Sequence, residues 1–268
     1  MSEKNHEAST QAMKELLGVI DALIAPDGCP WDKEQTPRSM CDYLAEEAFE
    51  LIEGIRNKDK AEAMEELGDV MFILLFIATL YEREGAHSLA DSINYSAAKM
   101  IRRHPHVFGD KNFEDIKELW DNWENVKREE NKKTGRKRVF DSLPKGLPPL
   151  LKAYRINSKA ARNNFTWDSD EAVKAQLKEE WQEWQDALTQ NDPDASEQEF
   201  GDYLFTLVEL GRRKGIKANS ALDFANQKFL GRFGKMEELA EMRNQILSDL
   251  NLDEMNALWD EVKDWENK

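Results

Sequence analysis

The sequence predicts an all-α protein built from two tandem helical bundles, and three observations carry that reading. Apolar residues recur at intervals of three and four through most of the chain, the spacing of amphipathic helices. No stretch of useful length alternates apolar and polar residues between turn residues, so no strand is expected. Two long segments, Leu44 to Phe72 and Leu177 to Phe205, also share one register. Glu47, Glu50, Glu66 and Asp69 recur 133 positions later as Glu180, Glu183, Glu199 and Asp202, and Gly68-Asp69 is answered by Gly201-Asp202. An internal duplication in a chain of 268 residues divides it into a first repeat over 1–128, a connector over 129–148 and a second repeat over 149–268.

In order along the chain, residues 1–7 are polar and expected to be loose. Ala12, Leu16, Val19, Ile20 and Leu23 keep helical spacing from Ala8 to Ile24, and Asp27-Gly28-Cys29-Pro30 ends that helix. Trp31 to Thr36 reads as a loop, with Trp31 against the core and Asp32 paired with Lys33, or else with a role toward substrate. Ser39 is placed to cap the next helix, which carries Glu47 and Glu50. Asp59 to Arg83 reads as one long helix, apolar nearly all round from Val70 to Leu80, the mark of a central element or a subunit contact. Ser88 to Arg103 is helical and leads into His104-Pro105-His106. The intervening proline rules out a helical i, i+4 histidine pair, so packing rather than metal ligation is expected there. Phe113 to Lys127 is helical, and the basic run to Arg138 followed by Pro144, Pro148 and Pro149 reads as a flexible linker. The second half places helices at Pro149 to Ala161, across the two acidic segments around the turn Asn191-Asp192-Pro193, at Asn219 to Met242 and at Leu252 to Glu266.

Composition narrows the function. A net charge of −16 argues against a nucleic-acid backbone as partner. No run of 18 apolar residues and no basic-then-apolar leader occurs, which argues against a membrane partner, and two cysteines make no disulfide framework, so a cytoplasmic protein is expected.

Residues three apart on a helix share a face, so Glu180 with Glu183, and Glu199 with Asp202, project as pairs. If the two helices fold back on each other, four carboxylates converge. Two unit charges about 4 Å apart at an effective dielectric near 20 repel by on the order of 4 kcal/mol. A hard divalent cation answers that repulsion, magnesium above all with manganese as the alternative, and magnesium recruits substrate phosphates. The opposing reading is a solvated acidic surface. Further on, Lys228 and Arg232 stand four apart, as do Trp259 and Lys263, suiting phosphate contacts and stacking on a base, although a tryptophan serves as a core anchor at least as often.

These features, together with GCPWDKEQT near the start and RRHPHVF at mid-chain, resemble the MazG family of nucleoside triphosphate pyrophosphohydrolases over nearly the full chain. The resemblance implies a magnesium-dependent hydrolase of acid anhydrides in a helical homodimer, cleaving NTPs and dNTPs between the α- and β-phosphates. It implies Glu180, Glu183, Glu199 and Asp202 as metal ligands, and Asn226, Lys228, Arg232, Trp259 and Lys263 as nucleotide contacts. A second, weaker metal site is implied at Glu47, Glu50, Glu66 and Asp69, since Ala97 stands in the first repeat where Asn226 stands in the second. Gln176 occupies a phosphate-contact position at which relatives can carry lysine. Glu179 or one of the four acids is expected to take the proton of the attacking water. Two alternatives stand beside this reading: a narrow dUTP- or dCTP-type pyrophosphatase, and a helical interaction module without turnover.

Overall fold

The computed structural model describes residues 3–133 and 138–266, and no strand occurs among the described residues. The chain divides into two compact units, Met1–Lys127 and Arg128–Lys268.

In the first unit, α1 (Glu3–Leu23) is followed by the single turn α2 (Pro30–Lys33), then α3 (Met40–Asn57), α4 (Lys60–Arg83), α5 (Leu89–Arg103), another single turn α6 (Pro105–Phe108) and α7 (Ile116–Lys133), which runs on past the unit boundary. The dominant packing is the antiparallel hairpin of α3 on α4, with α1 and α5 against α4. Ile20, Ile24, Met40, Ile73, Leu75, Phe76 and Leu80 form the buried core.

In the second unit, α8 (Pro149–Ala161), α9 (Asp170–Thr189), α10 (Pro193–Arg213), α11 (Ala218–Met242) and α12 (Leu252–Glu266) follow, with one 3-10 turn at Leu247–Asp249. Here α9 and α10 form the main hairpin, α8 packs on α10, and α11 pairs with α12 around Met236, Leu239, Ala240, Leu258 and Val262.

The two hairpins turn in the same way. Lys58 and Asn191, which match in the duplication, both take left-handed backbone angles, φ 59° and 52°. Asp59 and Asp192 follow as N-caps. Asp59 Oδ1 accepts from the amides of Ala61 and Glu62, and Asp192 Oδ1 from those of Asp194 and Ala195. A capping carboxylate satisfies orphan amides and complements the helix dipole at the same time. Small buried residues match as well, Gly54 and Ala187. A Cβ on Gly54 would stand 2.9 Å from the amide nitrogen of Ala63, so α3 and α4 approach closely there.

Several boundaries differ from the sequence expectations. The chain is helical from Glu3, because polar residues with good helix propensity extend α1 ahead of its apolar stripe. Trp31 to Lys33 belongs to α2 rather than a loop. Trp31 is 50% exposed and meets Tyr43 edge-on, so it does not cap the core, and Lys33 donates to the carbonyl of Pro26. Ser39 is no cap: its backbone is already helical and its hydroxyl serves Gln35 and Thr36. The helix expected to end at Lys127 continues to Lys133, since lysine, arginine and glutamate favour helix without an apolar stripe. Residues 134–137 of the expected linker lie outside the described residues. In α4 the apolar circumference splits. Ile73, Leu75, Phe76 and Leu80 are buried, whereas Leu67, Met71 and Leu74 stand open.

Replacing Asp59 or Asp192 by alanine is expected to cost about 1 kcal/mol of unfolding free energy each, while asparagine retains most of it. Denaturant unfolding of the four single variants measures this.

Candidate metal centre

The hairpin turn sets the register of the acidic helices. With α9 and α10 packed along their length, Glu180 of α9 faces Glu199 and Asp202 of α10, and one oxygen from each lies within 4.8 Å of the others. The first unit repeats the arrangement with Glu47 of α3 and Glu66 and Asp69 of α4. Three of each expected four carboxylates therefore meet in this way. Glu183 and Glu50 stand more exposed, one helical turn on, outside the 4.8 Å sets, but their charges are still felt by the carboxylates within.

Crowding shows in the protonation of these groups. Burial, then the charges of Asp202, Glu183 and Glu199, raise the Glu180 carboxyl above its ordinary range, opposed by a hydrogen bond from Gln176 Nε2 to Glu180 Oε1 of 3.0 Å. In the first unit Glu66 is pushed from 4.5 to about 7, by desolvation first, then by a shared hydrogen bond with Glu47 and the charges of Glu50, Glu47 and Asp69. Burial and neighbouring charge that disfavour the ionised form of Glu180 and Glu66 are relieved by a cation as well as by a proton. Three hard oxygen donors without nitrogen or sulfur suit magnesium or manganese rather than zinc. Glu179, next to Glu180, is exposed.

The other expected contacts lie on α11 and α12. Asn226 and Lys228 are exposed, and Arg232 sits with its guanidinium 5.8 Å from the centre of the Trp259 ring. Trp259 also lies 5.1 Å from Phe229, with part of its ring packed on the α11/α12 core. Lys263 Nζ meets Asp260 Oδ1 at 2.9 Å. The His104 ring packs at a tilt against Trp123 and the His106 ring edge-on against Phe113, as packing predicts.

A buried ionic network in the second unit escaped the sequence reading. Glu209, 1% exposed, accepts from Arg212 Nε at 2.7 Å and from Thr166 Oγ1 at 3.1 Å. Arg213 bridges to Asp170 Oδ1 at 2.7 Å and to the carbonyl of Trp167 at 3.0 Å. The Arg213 hydrogen bond, then that of Lys214, hold Asp170 down to about 2. The signal was present in the register, because Glu209 and Arg213 match Phe76 and Leu80, core residues of the first unit.

Comparison with known proteins bears on this geometry. The model of the MazG nucleotide pyrophosphohydrolase domain matches twice, at residues 35–108 and 168–248, once over each acidic hairpin. The chain belongs to the MazG family. It is similar to the nucleoside triphosphate pyrophosphohydrolase/pyrophosphatase MazG of Thermotoga maritima, 38% identical over 93% of this chain and 95% of the relative. It is also similar to the nucleoside triphosphate pyrophosphohydrolase of Escherichia coli, 35% identical over 92% of this chain and 95% of the relative. The uncharacterized protein YabN of Bacillus subtilis is 38% identical over 98% of this chain, which spans 53% of that relative.

A folded-state value above the ordinary one means that the native Glu66 holds its proton more tightly than the unfolded chain does. Its contribution to stability is complete below pH 4.5 and is lost as pH rises through about 7. Glu66→Gln is expected to flatten the fall in thermal stability across that window, as measured by unfolding midpoints at a series of pH values without divalent ions.

Proposed function

We propose that this chain is a nucleoside triphosphate pyrophosphohydrolase that hydrolyses NTPs and dNTPs between the α- and β-phosphates, releasing a nucleoside monophosphate and pyrophosphate. The observation that carries the reading is the meeting of Glu180, Glu199 and Asp202 at the crossing of two helices, in a chain whose full-length relatives bear that name.

Glu180, Glu199 and Asp202 would hold magnesium, with Glu183 one turn away adding negative charge and a further oxygen donor. Magnesium, when bound, neutralises phosphate charge and acidifies water. The protein's own groups do the rest. Gln176 orients Glu180 through its amide. Glu179 or one of the clustered acids takes the proton of the attacking water. Lys228 and Arg232, on one face of α11, steady the departing pyrophosphate, Arg232 through paired donors and Lys228 as a point charge. Asn226, Trp259 and Lys263 complete the nucleotide contacts.

Glu47, Glu66 and Asp69 form the second, weaker metal site. Its acids are intact, but Ala97 takes the place of Asn226. Leu67 and Leu74 in α4 are exposed at the positions where Phe200 and Leu207 are exposed in α10, and these repeated apolar faces support a homodimer. Both cysteines are free and no helix among the described residues is long and apolar enough to cross a membrane, which supports a cytoplasmic role.

Incubation with magnesium and each of the eight common NTPs and dNTPs, followed by product identification, is expected to give monophosphate and pyrophosphate from many of them. A single substrate would indicate a specialist and no turnover an interaction module. Glu183→Ala with Glu199→Ala is expected to abolish turnover, whereas Glu50→Ala with Glu66→Ala leaves most of it. Equal losses would overturn the division of labour between the two sites.

A further inference from the structure

We propose that Asp170 and Arg213 are positioning residues for an ion held at Glu180, Glu199 and Asp202: their ion pair clamps the open end of the α9/α10 hairpin and fixes the separation at which those acids meet. The proposal rests on the metal site of the pyrophosphohydrolase reading and names what holds that site in shape.

An antiparallel hairpin that carries like charges at its middle opens unless both ends are fastened. One end of α9/α10 is the turn, with Asn191 in the left-handed conformation and Asp192 as cap. At the other end, where α9 begins and α10 stops, side-chain bonds cross between the two. Arg213 Nε donates to Asp170 Oδ1 at 2.7 Å, and its Nη1 to the carbonyl of Trp167 at 3.0 Å. Lys214 pairs with the same Asp170 carboxylate, and the Thr166 hydroxyl donates to the buried Glu209 at 3.1 Å. Arg212 holds Glu209 in turn, through Nε at 2.7 Å and Nη2 at 2.8 Å, so that glutamate is a fixed anchor for the loop. Arg213 and Asp170 are themselves partly buried, where solvent screens an ion pair less than at the open surface.

The lever arms set the scale. Glu180 lies roughly three turns from Asp170, and Asp202 roughly three from Arg213, so the acids stand about halfway between clamp and turn. Opening about the turn moves them about half as far as it moves the open end, so an opening of about 1 Å there already reaches the roughly 0.5 Å tolerance of a preorganised site.

The first unit lacks this device. Met40 and Val173 match in the duplication and are both buried, so the register holds to the start of each hairpin. Yet α9 begins at Asp170, a turn ahead of α3 in that register, and the added turn supplies the clamping carboxylate. Pro37 stands at the position of Asp170, and Phe76 and Leu80 at those of Glu209 and Arg213. Hydrocarbon packing holds that end, without a directional bond.

Manganese titration followed by electron paramagnetic resonance reads ion affinity apart from turnover. In a Glu47→Ala, Glu66→Ala background, which leaves the second-unit acids intact, Arg213→Met is expected to weaken manganese binding about tenfold. Arg213→Lys, which keeps a cationic donor for Asp170, recovers most of that loss. Asp170→Asn, a milder change that decides the matter if Arg213→Met does not fold, weakens binding about threefold. Leu239→Val loosens the α11/α12 core away from the hairpin ends; it is expected to lower the unfolding midpoint and leave the affinity unchanged. Background-like affinity in Arg213→Met and Asp170→Asn would overturn the clamp alone. So would an equal loss in Leu239→Val, since general destabilisation would then account for the effect. A background protein that bound no manganese would instead remove the metal site of the pyrophosphohydrolase reading, and the clamp's role with it.

Discussion

Mutual repulsion among acids at a helix crossing is the constraint around which each unit is built. Three carboxylate oxygens within 4.8 Å are an arrangement that an isolated helix pair would avoid by splaying apart. The hairpins resist splaying because each is fastened at its turn and along its length. A left-handed residue and an aspartate cap fix the angle of return, and small residues at Gly54 and Ala187 let the backbones draw close. Burial first, and the charges of the neighbouring acids after it, raise the Glu66 and Glu180 carboxyls above their ordinary range.

The two units share this hairpin and differ in what supports it. In the first, α4 is backed by an apolar core centred on Phe76. In the second, the same helix positions carry Thr206, Glu209 and Arg213, and the support is ionic. Buried ion pairs often stabilise less than packed hydrocarbon of the same volume, but their directional hydrogen bonds fix the groups they join. What they fix here is the loop from Thr166 to Asp170 and with it the first turn of α9, the helix that bears Gln176 and Glu180.

Much of this was legible in the sequence, and the parts that were not have physical reasons. The duplicated register gave the all-α class, the hairpins and the acids that face each other, since spacing along a helix determines its face. The ends of α8 and α12 were readable because Pro149 opens one and the apolar stripe of the other stops with the polar tail. Spacing alone did not separate Glu183 and Glu50 from their partners. Two residues three apart share a face only approximately, and the difference of about 60° decides which one reaches across. The start at Glu3 and the extension to Lys133 were missed because apolar periodicity is blind to helix whose sequence carries no apolar stripe. Glu209 was hidden in an acidic chain where one more glutamate carries no signal, although its alignment with Phe76 marked a charge at a core position.

The hairpin has a consequence for how the protein is made. Its contacts join residues close together in the chain, so α3 with α4, and α9 with α10, belong to the class of structure that forms fastest. Closing the hairpin is itself what brings the acidic residues together, so each hairpin meets its electrostatic cost through contacts local in the chain. Whatever relieves that repulsion, a proton or a cation, thereby also favours closure of the hairpin.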